Sequence, residues 1–192
     1  RELPHEEAEL ILLSRSLQDC GRDMILSLSP GPALLEKAEL YKQTSNMWRI
    51  TDDFWDSWPQ LYEMFDRARE WCIHAGNGCW PDADMLPIGP IKQDYDPALS
   101  TEFTQDEQIT MMSLWSIFRS PLIIGGEMTK FDDFTMGLIT NEEILKMHRN
   151  ARHSHPVWQR DIDGTEHILW TAVSSEGGQY AIIFNTGEQD SS

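Results

Sequence analysis

Four short apolar runs, separated by helix-length segments, constrain this chain more than any other feature. They lie at residues 24–29, 46–50, 79–89 and 121–126, the third turning from strand into loop. Helical periodicity is read over residues 4–20, 33–41, 56–74 and 104–118, with a last helix over 141–147. Leu61, Met64, Phe65 and Ala68, for example, fall on one helical face. The boundaries carry their own chemistry. Pro4 suits a first helical turn. Gly21 and Gly76-Asn77-Gly78 suit helix ends, and Pro30-Gly31-Pro32 breaks the first run. Thr104 and Glu107 have capping-box spacing. Short strands alternating with longer helices predict parallel strands joined by crossover helices. A repeat of roughly 20 to 40 residues fits half of an eight-stranded (β/α)8 barrel.

The pattern changes after residue 150. Residues 167–173 and 179–185 read as neighbouring antiparallel strands around a turn at 175–178. The predicted fold class is therefore α/β. Residues 1–150 form a partial barrel, and residues 151–192 begin an antiparallel β domain. A chain of 192 residues suffices for one domain with a core and part of a second. Residues 1–7 do not read as a signal peptide, and both ends look cut from something longer.

Charge narrows the partners. With 32 acids against 15 bases the net charge is −17, which repels phosphates and favours a neutral or cationic ligand over nucleic acid. No run approaches the ~18 apolar residues of a membrane-crossing helix. Cys20, Cys72 and Cys79 are odd in number and lack metal-ligand spacing, so free thiols are expected.

In such barrels the site lies at the strands' C-terminal ends. There this sequence places Ser29, Asp52 and Asp53, Asp82 and Asp84, then Gly125 and Gly126. The stretch Trp48-Arg49-Ile50-Thr51-Asp52-Asp53-Phe54-Trp55-Asp56-Ser57-Trp58 is the densest of these. Its tryptophans suit stacking on a polar ring, and its acids and arginine suit hydroxyls and protons. A strand running into an acidic helix cap is the plainer alternative. In Trp80-Pro81-Asp82-Ala83-Asp84-Met85-Leu86 the two acids suit hydroxyl binding, a turn cap or a metal. A metal would call for further oxygen ligands or a histidine nearby, and none is evident, so no metal or cofactor is expected.

Both stretches resemble glycoside hydrolase family 27, the α-galactosidases and α-N-acetylgalactosaminidases. The first resembles that family's acid/base segment, and the second its Trp-Asn-Asp-Pro-Asp-Met-Leu motif. Leu114-Trp115 and Ser120-Pro121-Leu122 resemble its Ala-Leu-Trp and Ala-Pro-Leu segments, in the same order. The resemblance implies a retaining glycosidase on a (β/α)8 barrel followed by an antiparallel β domain, with this chain supplying strands five to eight. It implies Asp53 as catalytic acid/base, with Asp52 the weaker candidate. It implies substrate-binding roles for Arg49, Asp84, Met85 and Ser29, and a galactose- or N-acetylgalactosamine-containing glycan as partner. Secretion, or a periplasmic or lysosomal location, follows by the same analogy. Asp56 and Asp82 are read as capping or supporting residues.

Two departures matter. The family's nucleophile is an aspartate in a Lys-Tyr-Asp type motif closing the fourth strand, and no such motif precedes Met24. The nucleophile is therefore expected outside these residues, and the chain alone is expected to be inactive. Where many α-galactosidases have a glutamate that binds the 2-hydroxyl, this chain has Ser29, as the N-acetylgalactosaminidases do. Leu28 and Asn46 stand where some members have a disulfide. A non-catalytic carbohydrate-binding module, and a metal hydrolase using Asp82, Asp84 and a histidine, are the rival readings.

Overall fold

The computed structural model describes residues 6–29, 31–76, 78–91 and 99–187. Pro4, Pro30, Asn77 and the loop acids Asp94 and Asp96 lie outside them. The first part runs α1 (Glu7–Asp19), β1 (Ser27–Leu28), α2 (Ala38–Thr44), β2 (Met47–Arg49), α3 (Trp58–Trp71), β3 (Trp80–Asp82), α4 (Gln105–Phe118), α5 (Asp133–Ile139) and α6 (Glu142–Asn150). The second part is β4 (Ala151–Ile162), β5 (Thr165–Ser174) and β6 (Gln179–Asn185).

Strands β1, β2 and β3 form a parallel sheet in that order, with Met47 opposite Ser27 and Trp80. The expected fourth strand is reduced to one parallel bridge, Leu86 to Ile124. Leu86 N–H donates to Ile123 O at 2.7 Å, and Gly125 N–H to Leu86 O at 2.9 Å. Pro121 has no N–H to extend the ladder. Gly125 and Gly126 lie close against the neighbouring chain: a Cβ on Gly126 would overlap the Ile88 carbonyl. The helix expected at 33–41 begins instead as a 3-10 turn at Leu35–Lys37 and becomes α-helical over α2.

Alternation along β2 decides what faces where. Trp48 is fully buried and packs against Tyr41 and Trp71, with ring centroids 5.9 and 6.0 Å away. Met47 and Arg49 therefore face the opposite side. Strand register puts Ser27 and Trp80 in the row of Met47, and Asp82 in the row of Arg49. This second side is the inner face of a barrel wall.

Helix α4 is capped as its sequence predicts. Thr104 Oγ1 accepts the Glu107 N–H, and Glu107 Oε2 accepts the Thr104 N–H. It is buried on nearly all sides, from Met111 to Phe118. One core runs from it into the second sheet, an antiparallel meander ordered β4-β5-β6. Phe65 of α3 meets Phe184 of β6 edge-on at 4.9 Å. Tyr62 donates to Glu166 at 2.7 Å beside them. Strand β4 and helix α5 were not expected from the sequence. The fold is thus half of a parallel barrel wall with its helices, followed by an antiparallel β unit. No helix among the described residues is long and apolar enough to cross a membrane.

Candidate active site

The C-terminal ends of β2 and β3 bring Arg49 and Asp84 together. Arg49 Nη1 lies 2.6 Å from Asp84 Oδ2, and only 15% and 11% of the two side chains remain exposed. The same oxygen accepts the Phe54 N–H at 2.7 Å, while Oδ1 accepts the Met85 N–H at 2.6 Å. Asp84 holds φ at 80°, a left-handed conformation that Asp tolerates better than most residues. Its backbone is fixed from both sides. Its N–H donates to Asp82 Oδ1 at 2.9 Å, and its carbonyl accepts the Trp115 indole N–H at 3.0 Å. A conformation of this kind persists where the surroundings over-determine it, commonly at functional sites.

Asp53 stands at the rim. Its Oδ1 is 3.5 Å from the same Arg49 Nη1, and its side chain is 86% exposed. β2 ends four residues earlier, at Arg49, and the loop carries Asp53 outward. Asp52 is likewise exposed. Met85 is half-buried against Gly125, where a Cβ would come within 2.6 Å of its Sδ. Ser29 is exposed just beyond β1, two residues after Ser27, so alternation places it on the inner face with Arg49.

Two expectations about the surrounding residues narrow: which tryptophans can stack, and whether Asp56 caps or supports. Trp48 is core rather than a stacking face. Trp58 is half-buried beside Tyr62, and Trp55, 47% exposed, is the accessible one of the three. Asp56 does not cap α3, whose N-cap is Ser57; it accepts the Glu102 N–H at 2.6 Å and ties two loops together. Asp82 is supporting, as read, and burial pushes its carboxyl above the usual range. Trp115 and the Phe54 N–H were not foreseen as partners of Asp84. A buried tryptophan needs a partner for its indole N–H, and that was the available signal for Trp115.

Both acids of the second motif thus point at protein donors. Among the described residues no group of three or more His, Cys, Asp or Glu converges as a metal site. A concavity of about 580 Å³ lies at the strands' other end, around Leu26, Asn46 and Cys79. Cys20, Cys72 and Cys79 are free thiols.

A largely buried arginine–carboxylate clamp and an exposed acid thus meet at the C-terminal ends of parallel strands, where barrel enzymes carry their sites. Comparison with known proteins makes this specific. The family described as Alpha galactosidase A matches residues 4–150, and the chain belongs to it: glycoside hydrolase family 27. A β-L-arabinopyranosidase of this family from Geobacillus stearothermophilus is 46% identical, with a TM-score of 0.87. The match covers 96% of this chain and 42% of that one. A variant of that enzyme has been solved with arabinose. A Bacillus halodurans C-125 protein, named as a candidate α-N-acetylgalactosaminidase, is 40% identical with a TM-score of 0.74, covering 98% of this chain and 43% of that one. The α-galactosidase of Cyamopsis tetragonoloba is 30% identical over 145 residues, 75% of this chain and 32% of its own length. The chain thus spans about a third of that curated relative.

Proposed function

We propose that this chain supplies the acid/base and sugar-binding half of a retaining glycosidase acting on terminal galacto-configured pyranosides. The observation that carries this reading is one guanidinium, Arg49, touching both Asp84 at 2.6 Å and Asp53 at 3.5 Å. Asp84, held by the clamp, accepts hydroxyl donors from the sugar, with Met85 beside it. Asp53 protonates the departing glycosidic oxygen as a second carboxylate, about 5 Å away, attacks the anomeric carbon. Asp53 then takes a proton from the water that breaks the glycosyl–enzyme bond. The second carboxylate comes from the polypeptide that completes the barrel. Exposure of Asp53 here agrees with a rim that this remaining half and the sugar would cover.

β-L-Arabinopyranose has the ring and the C1 to C4 stereochemistry of α-D-galactopyranose without the hydroxymethyl group. One site can therefore serve either substrate, and similarity to the arabinopyranosidase favours the pentose. Ser29 favours a second reading, an α-N-acetylgalactosaminidase, because a small side chain there leaves room for an acetamido group. The test has two arms. The 192-residue chain alone should not hydrolyse aryl β-L-arabinopyranosides, α-D-galactopyranosides or N-acetyl-α-D-galactosaminides. Joined to the missing barrel half, it should hydrolyse at least one. Turnover by the chain alone, or none by the completed barrel, would sink the proposal.

A further inference from the structure

The inner face of the wall carries a second charged feature, at the opposite end from Asp84. Arg119 ends α4 in the left-handed conformation, φ 68°. Its guanidinium lies over the Trp80 ring, 4.2 Å from the centroid, and its Nε donates to His148 O at 3.1 Å. Among the described residues neither terminal nitrogen takes a protein partner. The neighbouring charge that acts on it is another cation, Arg152; burial first, then that charge, lowers its pKa to about 10. His148, held to Ser120 O at 2.8 Å, also lies near Arg149. In a chain of net charge −17, a cluster of bases with no acid among the described residues is anomalous.

Arg119, Trp80, Met47, Ile25 and Pro121 line a cavity of about 360 Å³. It opens where an eight-stranded barrel would have its interior, between β1 and residues 121–125, which end the sheet on either side among the described residues. A desolvated guanidinium stacked on an aromatic ring is an arrangement suited to a planar carboxylate.

We propose that Arg119 docks an inward-facing Asp or Glu side chain on the polypeptide that completes the barrel, seating the two halves against each other. This rests on the half-barrel reading above. A second copy of this chain does not fit the charge: in a closed two-fold barrel it would bring another Arg119 to the same end. A carboxylate from a different segment neutralises the cluster and fills the cavity together with apolar neighbours.

The probe is the part of the Geobacillus stearothermophilus β-L-arabinopyranosidase that precedes the matched region, produced as a separate chain. Its affinity for this chain is measured by calorimetry, for wild type, Arg119→Met and Arg119→Lys. Arg119→Met should weaken association roughly tenfold or more and flatten its salt dependence. Arg119→Lys, which keeps the charge but not the planar fork, should weaken association less than Arg119→Met does. Equal affinity for wild type and Arg119→Met overturns the docking role and leaves the half-barrel reading standing. No association of the wild type overturns both. If the wild-type chain self-associates in sedimentation and Arg119→Met abolishes this, the occupant is a second copy, and the commitment to an acidic segment is wrong. Should Arg119→Met unfold, the comparison of wild type with Arg119→Lys across salt decides: association strengthened by salt contradicts an ion pair.

Discussion

Arg49 and Asp84, 35 residues apart in sequence, meet at 2.6 Å across the ends of two adjacent parallel strands. Both are largely desolvated, and each is positioned by a different β-strand end. Losing Asp84 leaves the largely buried Arg49 guanidinium with only the long contact to Asp53, at 3.5 Å. Asp84→Ala should therefore cost about 3 kcal/mol of stability, because it also removes the acceptor for the Phe54 N–H. Urea denaturation of the two chains measures this. A change within experimental error would mean that the clamp does not hold the strand ends.

Asp53 should behave in the opposite way. With its side chain 86% exposed and a single long contact to Arg49, Asp53→Asn should leave the unfolding midpoint where it is. In the completed barrel the same substitution should collapse turnover of substrates with poor leaving groups. It should spare the first step with activated aryl glycosides, which need no protonation. Steady-state and burst kinetics on both substrate types separate these outcomes. Unchanged turnover of both would remove Asp53 from the mechanism.

Gly125 sets the position of Met85. An added Cβ would lie 2.6 Å from Met85 Sδ and 3.0 Å from Leu86 O, so something must move. Gly125→Ala should destabilise by about 1–3 kcal/mol and displace Met85. In the completed barrel KM should rise more than kcat falls. A variant with full stability and unchanged KM would show that this contact does not shape the pocket.

The junction between α3 and the second sheet should be acid-labile. Burial pushes the Glu166 carboxyl up, but hydrogen bonds from Gln159, Tyr62 and Thr186 together outweigh it, and the net shift is downward. A carboxyl whose folded pKa is depressed adds stability that is present above its unfolded pKa. That stability is lost as pH falls through the folded value. The window therefore lies below about pH 4.3. Glu166→Gln should lower the urea midpoint at pH 6 and converge with wild type as the pH drops toward 3. Parallel curves across that range would contradict the assignment.

The same residues show what a sequence can and cannot give. The parallel wall was legible because short apolar runs alternate with amphipathic helices. The Thr104–Glu107 cap was legible because its chemistry is local. Strand β4 was not: His155, Pro156 and Arg160 interrupt its apolar pattern, and its register shifts twice. The signal that could have found it is Asp163-Gly164, both with positive φ, closing a tight turn between Ile162 and Thr165. Helix α5 spans only seven residues and contains Gly137, so its period is hard to see. Trp48 reads as a sugar platform if only composition is weighed. Period-two alternation from Arg49 already puts it on the other face. The exposure of Asp53 was beyond reach, because it depends on what covers the rim.

Azide provides the most direct test of the central claim, that Asp53 is the acid/base of a retaining site built on the Arg49–Asp84 clamp. In the completed barrel, Asp53→Ala should form a glycosyl-enzyme from an activated aryl glycoside and then stall, because nothing deprotonates water. Azide needs no base. It should restore turnover and release a glycosyl azide with the anomeric configuration of the substrate. Unimpaired hydrolysis by Asp53→Ala, or an azide product of inverted configuration, would contradict the account.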